Sequence, residues 1–159
     1  MIAEELNCSK FFIKEIEKYS SLHDIGKIGI SEVIIKKPGK LDEKEFEEVK
    51  KHVKIGWKLI KDLSVSKIAE NIILYHHEKY DGSGYAFGLK KEEIPLEARI
   101  VAIADVYDAL RQKRCYKESY SHEKAVEIIK NERGKHFDPM IVDIFLKNNG
   151  KFKEIFDCA

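Results

Sequence analysis

The sequence predicts an all-α fold, on three grounds. Apolar residues recur at helical spacing in run after run. Several runs open on a capping residue, and glycine- or proline-containing turns separate some of them. No stretch shows the strict alternation of a half-buried strand, and there is no internal repeat or low-complexity tract. The expectation is a bundle of about seven helices, joined by short connections of a few residues.

Ser9 is placed to cap a helix over residues 10–22, with Phe12, Ile13 and Ile16 on one face. Residues 2–6 read as the tail of a preceding helix. Gly26 and Gly29 break the pattern after His23-Asp24, and Lys36-Lys37-Pro38-Gly39 is a turn. Asp42, with Glu45 three residues on, has the form of a capping box that opens one long helix. Its buried face is expected to carry Phe46, Val49, Val53, Gly56, Ile60 and Leu63, with His52 at the border and Gly56 leaving room beside it. A helix over residues 66–79 carries Ile68, Ile72, Ile73 and Leu74, with His76-His77 near its end. Residues 81–85, Asp-Gly-Ser-Gly-Tyr, form a loop. Pro95 precedes an apolar helix over 96–110, Ser121 opens a helix to about residue 132, and Asp138-Pro139 starts another toward Leu146. A short amphipathic tail covers residues 152–156.

Composition narrows the function classes. At 159 residues with 43% hydrophobic side chains, residues 1–159 suit a single domain with a real core. Charged residues reach 36%, but the net charge of +1 gives no global basic field for duplex nucleic acid. No apolar run is long enough to cross a membrane, and the first residues lack the pattern of a signal peptide. Cys8, Cys115 and Cys158 are odd in number, far apart and without a C-x-x-C pair. That argues against a disulfide framework or a cysteine zinc site and fits a reducing cytoplasm.

Against this background one series of residues stands out. His23-Asp24, His52, His76-His77 and Asp105 recur at intervals of roughly one helix plus one connection. Four of the six histidines belong to it. Imidazole and carboxylate together suit divalent iron, manganese, zinc or nickel. Asp105 is the most informative member, because a carboxylate inside an apolar helix is costly unless it is paired or binds a metal. A structural salt bridge is its competing explanation. His76 and His77 point about 100° apart on a helix, so both reach one ion only at a helix end; alone, the doublet reads better as one core and one exposed histidine. Together with the other members it reads as a metal site. Asp24 can bridge two ions, His23 and Asp105 holding one, and His52, His76 and His77 the other. Such a pair suits two-metal phosphoester hydrolysis by a bridging hydroxide, with Asp24 central to catalysis. Lys27, one turn after His23, is placed to hold a phosphate oxygen; by itself it would read as a surface lysine.

These residues lie within motifs that resemble the HD-GYP domain, a subgroup of the HD phosphohydrolases. The motifs are HDIGKIGI at 23–30, the KPG turn, His52, HHEKYDGSGY at 76–85, IPLEARIVAIADVYDAL at 94–110, RCYK at 114–117 and HFDP at 136–139. The resemblance implies an all-α bundle and a centre of two or three divalent transition metal ions. It implies hydrolysis of cyclic di-GMP to pGpG, GMP or both. It assigns Tyr85 to the loop beside the substrate, and Arg114 and Lys117 to contacts with a guanine and a phosphate. It further implies a signalling partner domain docking through the GYP loop, while any apolar face left exposed would favour a homodimer. Three departures accompany it. Ala86 stands where the family triplet has proline. Arg111-Gln112-Lys113 and Cys115 replace small polar residues and a proline. An upstream helix bearing a further histidine ligand would precede Met1. Without that helix, Phe11, Phe12 and Ile16 are expected to be exposed. The alternative function is a weak or inactive signalling module that binds cyclic di-GMP or a protein.

Overall fold

A computed structural model describes residues 1–112 and 119–158. The described residues form nine α-helical segments and no strand. They are α1 (Ile2–Glu5), α2 (Lys10–Tyr19), α3 (Glu32–Ile35), α4 (Glu43–Lys50), α5 (His52–Ile60), α6 (Lys67–Tyr75), α7 (Leu96–Arg111), α8 (His122–Asn131) and α9 (Pro139–Asp157). Short 3₁₀ turns at Ser20–Leu22, Ile25–Gly29 and Lys91–Glu93 complete the set. The all-α expectation holds.

The capping residues act as their chemistry dictates. Ser9, Ser66 and Ser121 each accept a backbone N–H in the first turn of α2, α6 and α8. Asp42 and Glu45 form the reciprocal box that opens α4, at 2.9 and 2.8 Å. Asp138 caps α9 through Oδ1, while its Oδ2 takes the guanidinium of Arg99 from α7. That pairing ties the start of α9 to the central helix.

The core sits where α7 meets α2, α6, α8 and α9. Ile103, Ile72, Ile129, Ile141 and Phe145 have no exposed surface, and Tyr107 is buried among them. His122 belongs to this structural layer. Its Nε2–H donates to Asn149 Oδ1 at 3.0 Å, so its Nδ1 accepts from the Tyr107 hydroxyl at 2.9 Å.

Several boundaries differ from those expected. The long helix after Asp42 is two helices, α4 and α5, broken at Lys51. At the break the His52 Nδ1–H donates to Val49 O, a side-chain bond to a main-chain acceptor. Only Val53, Gly56 and Ile60 of the proposed stripe are fully buried, whereas Phe46 and Leu63 are exposed. The helix before the histidine pair ends at Tyr75, and His76 is its C-cap. The C-terminal helix does not stop near Leu146 but runs through Gly150 to Asp157, taking in the tail. Phe11 is exposed as expected, but Ile16 is buried against the core and Phe12 is half-buried. The apolar face of α2 therefore has cover from within this chain.

Candidate metal centre

Four elements bring the predicted residues together. His23 and Asp24 sit between two 3₁₀ turns, His52 starts α5, His76 caps α6, and Asp105 lies in the second half of α7. The register between the first turn and α5 is set by a close backbone approach. A Cβ on Gly26 would lie 1.9 Å from the carbonyl oxygen of His52 and 2.4 Å from the Gly56 nitrogen. Only a residue without a side chain lets the turn seat there, and that seating carries Asp24 to His52. On the other side Gly56 meets Ile73 of α6, which holds α5 against the helix that delivers His76.

The imidazoles are oriented from behind. His23 Nδ1–H donates to Ser20 O at 2.7 Å, and His52 Nδ1–H to Val49 O at 2.7 Å. His76 Nδ1–H is shared between Ile72 O at 3.0 Å and Ile73 O at 3.2 Å. Carbonyl oxygens only accept, so these bonds fix the proton on Nδ1 and turn Nε2 toward the centre. There His52 Nε2 lies 3.4 Å from Asp24 Oδ1, 3.5 Å from His76 Nε2, and His76 Nε2 lies 3.8 Å from the same carboxylate oxygen. Asp24, His52, His76 and His77 can each offer one ligand atom within 4.8 Å of the others. Asp24 Oδ1 is buried and has no hydrogen-bond partner among the described residues. Lone pairs converge on one point with no donor to satisfy them among the described residues, and a cation fits there.

The second oxygen of Asp24 faces elsewhere. Oδ2 lies 3.3 Å from His23 Nε2 and accepts from Lys27 Nζ at 2.5 Å. His23 Nε2 is also 3.5 Å from Asp105 Oδ1. The structure thus gathers the other five sequence-predicted ligands around the Asp24 carboxylate, with His23 and Asp105 on one side and His52, His76 and His77 on the other.

The electrostatics of the two sides differ. Burial is the largest influence on His77 and pushes it down to about 2, with the neighbouring His76 and His52 adding to the effect. Burial also lowers His52. These rings are neutral, the form that ligates. Burial would lower His23 too, but its bonds to Asp105 and Asp24 prevail and hold it up at about 10. Desolvation opposes the charge on Asp24, yet His23, His76 and Lys27 hold its carboxyl well below the usual range. Asp105 is lowered in the same way by His23.

The loop after α6 closes over this cluster. The Tyr85 ring stacks on His77, with centroids 4.6 Å apart and planes 26° from parallel. Burial, with Asp24 and Asp105 nearby, raises the Tyr85 phenol. Arg114 and Lys117, expected at the substrate, lie outside the described residues. A cleft of about 380 Å³ opens beside His23 and Asp105, walled by Ile16, Ile100 and Ala104. His136 is not among the clustered ligands: its ring stacks on Phe137, and burial pushes it down to about 4. Glu78, quoted within the HHEK motif but given no role by sequence reasoning, is buried and grips the same loop as Tyr85. The main-chain carbonyls that orient the imidazoles are not readable from side-chain spacing.

Comparison with known proteins follows the same residues. The family described as an HD domain matches residues 1–141. A "Probable cyclic di-GMP phosphodiesterase" of Vibrio cholerae is 47% identical over 146 residues, covering 87% of this chain and 33% of the relative. The "Cyclic di-GMP phosphodiesterase response regulator RpfG" of Xanthomonas campestris is 43% identical over 157 residues, covering 98% of this chain and 42% of the relative. The chain therefore spans less than half the length of these relatives. A crystal structure described as a cyclic GMP-AMP specific phosphodiesterase of V. cholerae superposes with a TM-score of 0.70 at 20% identity, over 92% of this chain and 40% of that one. That likeness shows a shared fold.

Proposed function

The chain belongs to the HD-domain family, and from that premise we propose that it is a metal-dependent phosphodiesterase acting on cyclic di-GMP, giving pGpG, GMP or both. The names of the relatives supply the substrate class. The observation that carries the chemistry is the buried, unpartnered Oδ1 of Asp24 facing His52 and His76. His52, His76, His77 and Asp24 would hold one divalent ion, and His23, Asp105 and Asp24 a second. Bound ions supply a nucleophile at neutral pH and offset charge on the phosphoryl oxygens.

The chain's own residues do the rest. Asp24 offers one oxygen to each side, which fixes the spacing of the two sides. Lys27 has three donors, so it can stay on Asp24 Oδ2 and still take a phosphate oxygen at the mouth of the site. Tyr85 covers His77 and narrows access to it. Arg114 and Lys117 are proposed to hold a guanine and a phosphate, as the resemblance implies. A guanidinium suits both groups. We place the partner-docking face on the GYP-type loop.

The test is turnover by the purified, manganese- or iron-loaded chain, with products separated by chromatography. Formation of pGpG or GMP from cyclic di-GMP, lost in Asp24→Asn, is the expected result. A loaded chain that leaves cyclic di-GMP intact and dephosphorylates nucleoside monophosphates would be a general nucleotidase instead.

A further inference from the structure

Glu78 follows the paired histidines and is 2% exposed, yet the chemistry above gives it no part. Its contacts are main-chain donors. Oε1 accepts from the N–H of Phe87 at 2.7 Å and of Gly88 at 3.2 Å, while Oε2 is buried without a partner among the described residues. A buried carboxylate held only by neutral donors is a costly group. What it grips is the loop that carries Tyr85.

That loop needs gripping. Ala86 has φ of 106°, in the left-handed half of backbone space that a side chain disfavours. Proline, which the resembled family carries at this position, is fixed near φ of about −65° and could not adopt this path. On one side of Ala86 the loop is seated by Gly84, where a Cβ would lie 2.4 Å from the Lys79 nitrogen and 2.7 Å from the His77 oxygen. Tyr85 N–H donates to that same His77 oxygen at 3.3 Å. On the other side the hold is Glu78. Between these two anchors the Tyr85 ring lies on His77, and Phe46 meets the edge of Tyr85 at 5.8 Å. His77 differs from His23, His52 and His76 in what orients it: those three use a main-chain carbonyl at Nδ1, whereas the contacts found on the His77 ring are aromatic.

We infer that Glu78 is a positioning residue: its carboxylate clamps the strained loop at Phe87 and Gly88, so that Tyr85 stacks on His77 and fixes the aim of that imidazole. The inference rests on His77 being a metal ligand for its consequence, but the clamp itself can be read without metal.

The metal-free chain is examined first, by NMR. Glu78→Ala should speed amide exchange at Phe87 and Gly88 and shift the His77 ring resonances, which feel the Tyr85 ring current. Glu78→Gln keeps a carbonyl oxygen for the two N–H groups and should restore both signals; it also serves if the alanine variant fails to fold. Ala86→Pro should release the loop as Glu78→Ala does. In a cobalt titration, Glu78→Ala and Tyr85→Leu should each weaken the affinity of the closed site about tenfold, the effect typical of losing a group that orients a ligand. Faster exchange with unmoved His77 resonances would overturn the inference, as would unchanged exchange in Glu78→Ala. A wild-type chain that takes up no cobalt would sink the metal reading alone, because the NMR arms still decide the clamp.

Discussion

The two sides of Asp24 are built differently. Toward His52 and His76 the carboxylate faces rings with essentially no exposure, seated on α5 and α6. Toward His23 and Asp105 the side chains keep 19% and 29% of their surface, and Lys27 keeps 40%. The closed side is a preformed cage in which the His52 and His77 rings are held neutral by burial. The open side is a charged network that satisfies itself, imidazolium against two carboxylates with an ammonium in reserve. The contrast teaches that a cation would meet free lone pairs on one side and would have to compete on the other. An ion entering the open side must displace the His23 proton, whereas the closed side has lone pairs with nothing else to do.

The largest effect should come from breaking the cage. His76→Ala should remove most of the tightly bound metal, measured by elemental analysis after dialysis, while Asp105→Ala should leave one ion in place. If both variants lose metal equally, the two sides are not distinct. Next is Gly26→Ala, whose new Cβ would collide with backbone atoms of His52 and Gly56. Overpacking of this kind typically costs about 1–3 kcal/mol, and here it also pushes Asp24 away from His52. Denaturant midpoints and metal content should fall together; a fall in stability with metal content unchanged would separate the turn from the site.

Lys27→Met should act on the open side alone. It frees Asp24 Oδ2 from the ammonium, so metal should be retained or gained while the KM for cyclic di-GMP rises. An unchanged KM would place Lys27 outside the substrate contacts.

In the metal-free chain the closed side, together with His136 outside the cluster, should titrate with opposite sign to the open side. His77 is lowered to about 2 and His136 to about 4, so both favour the folded state when neutral. Their contribution is present above the ordinary value of 6.5 and is lost as pH falls toward 4 and below. His23, raised to about 10, contributes below 6.5 and loses that contribution as pH rises through 10. Urea midpoints should therefore peak near neutrality and fall on both flanks. His23→Gln should flatten the alkaline flank alone. The smallest effect is expected at Gly150, inside α9 with nothing near its would-be Cβ. Gly150→Ala should raise stability by about 0.5–1 kcal/mol through helix propensity and leave metal content unchanged.

By itself the sequence determined the helical class, the capping residues and which histidines and aspartates gather in one cluster. Those depend on spacing and side-chain chemistry within one or two turns, which is local information. Asp105 is the clearest case, since a carboxylate in an apolar run announces a partner before the partner is seen. Resemblance of motifs then supplied a family and a substrate class that spacing alone does not contain. Tertiary structure decided what comes from other segments. The helix after Asp42 is interrupted at Lys51, where His52 turns its Nδ1–H onto Val49 O and α5 also meets Gly26. Ile16 became buried because other helices packed on it, and α9 ran on through Gly150 because the Phe152 and Phe156 side chains found the core around Tyr107. Glu78 was invisible for the same reason. A carboxylate gripping two N–H groups nine and ten residues away makes bonds to atoms every residue carries, so no residue type in the sequence marks where they will be.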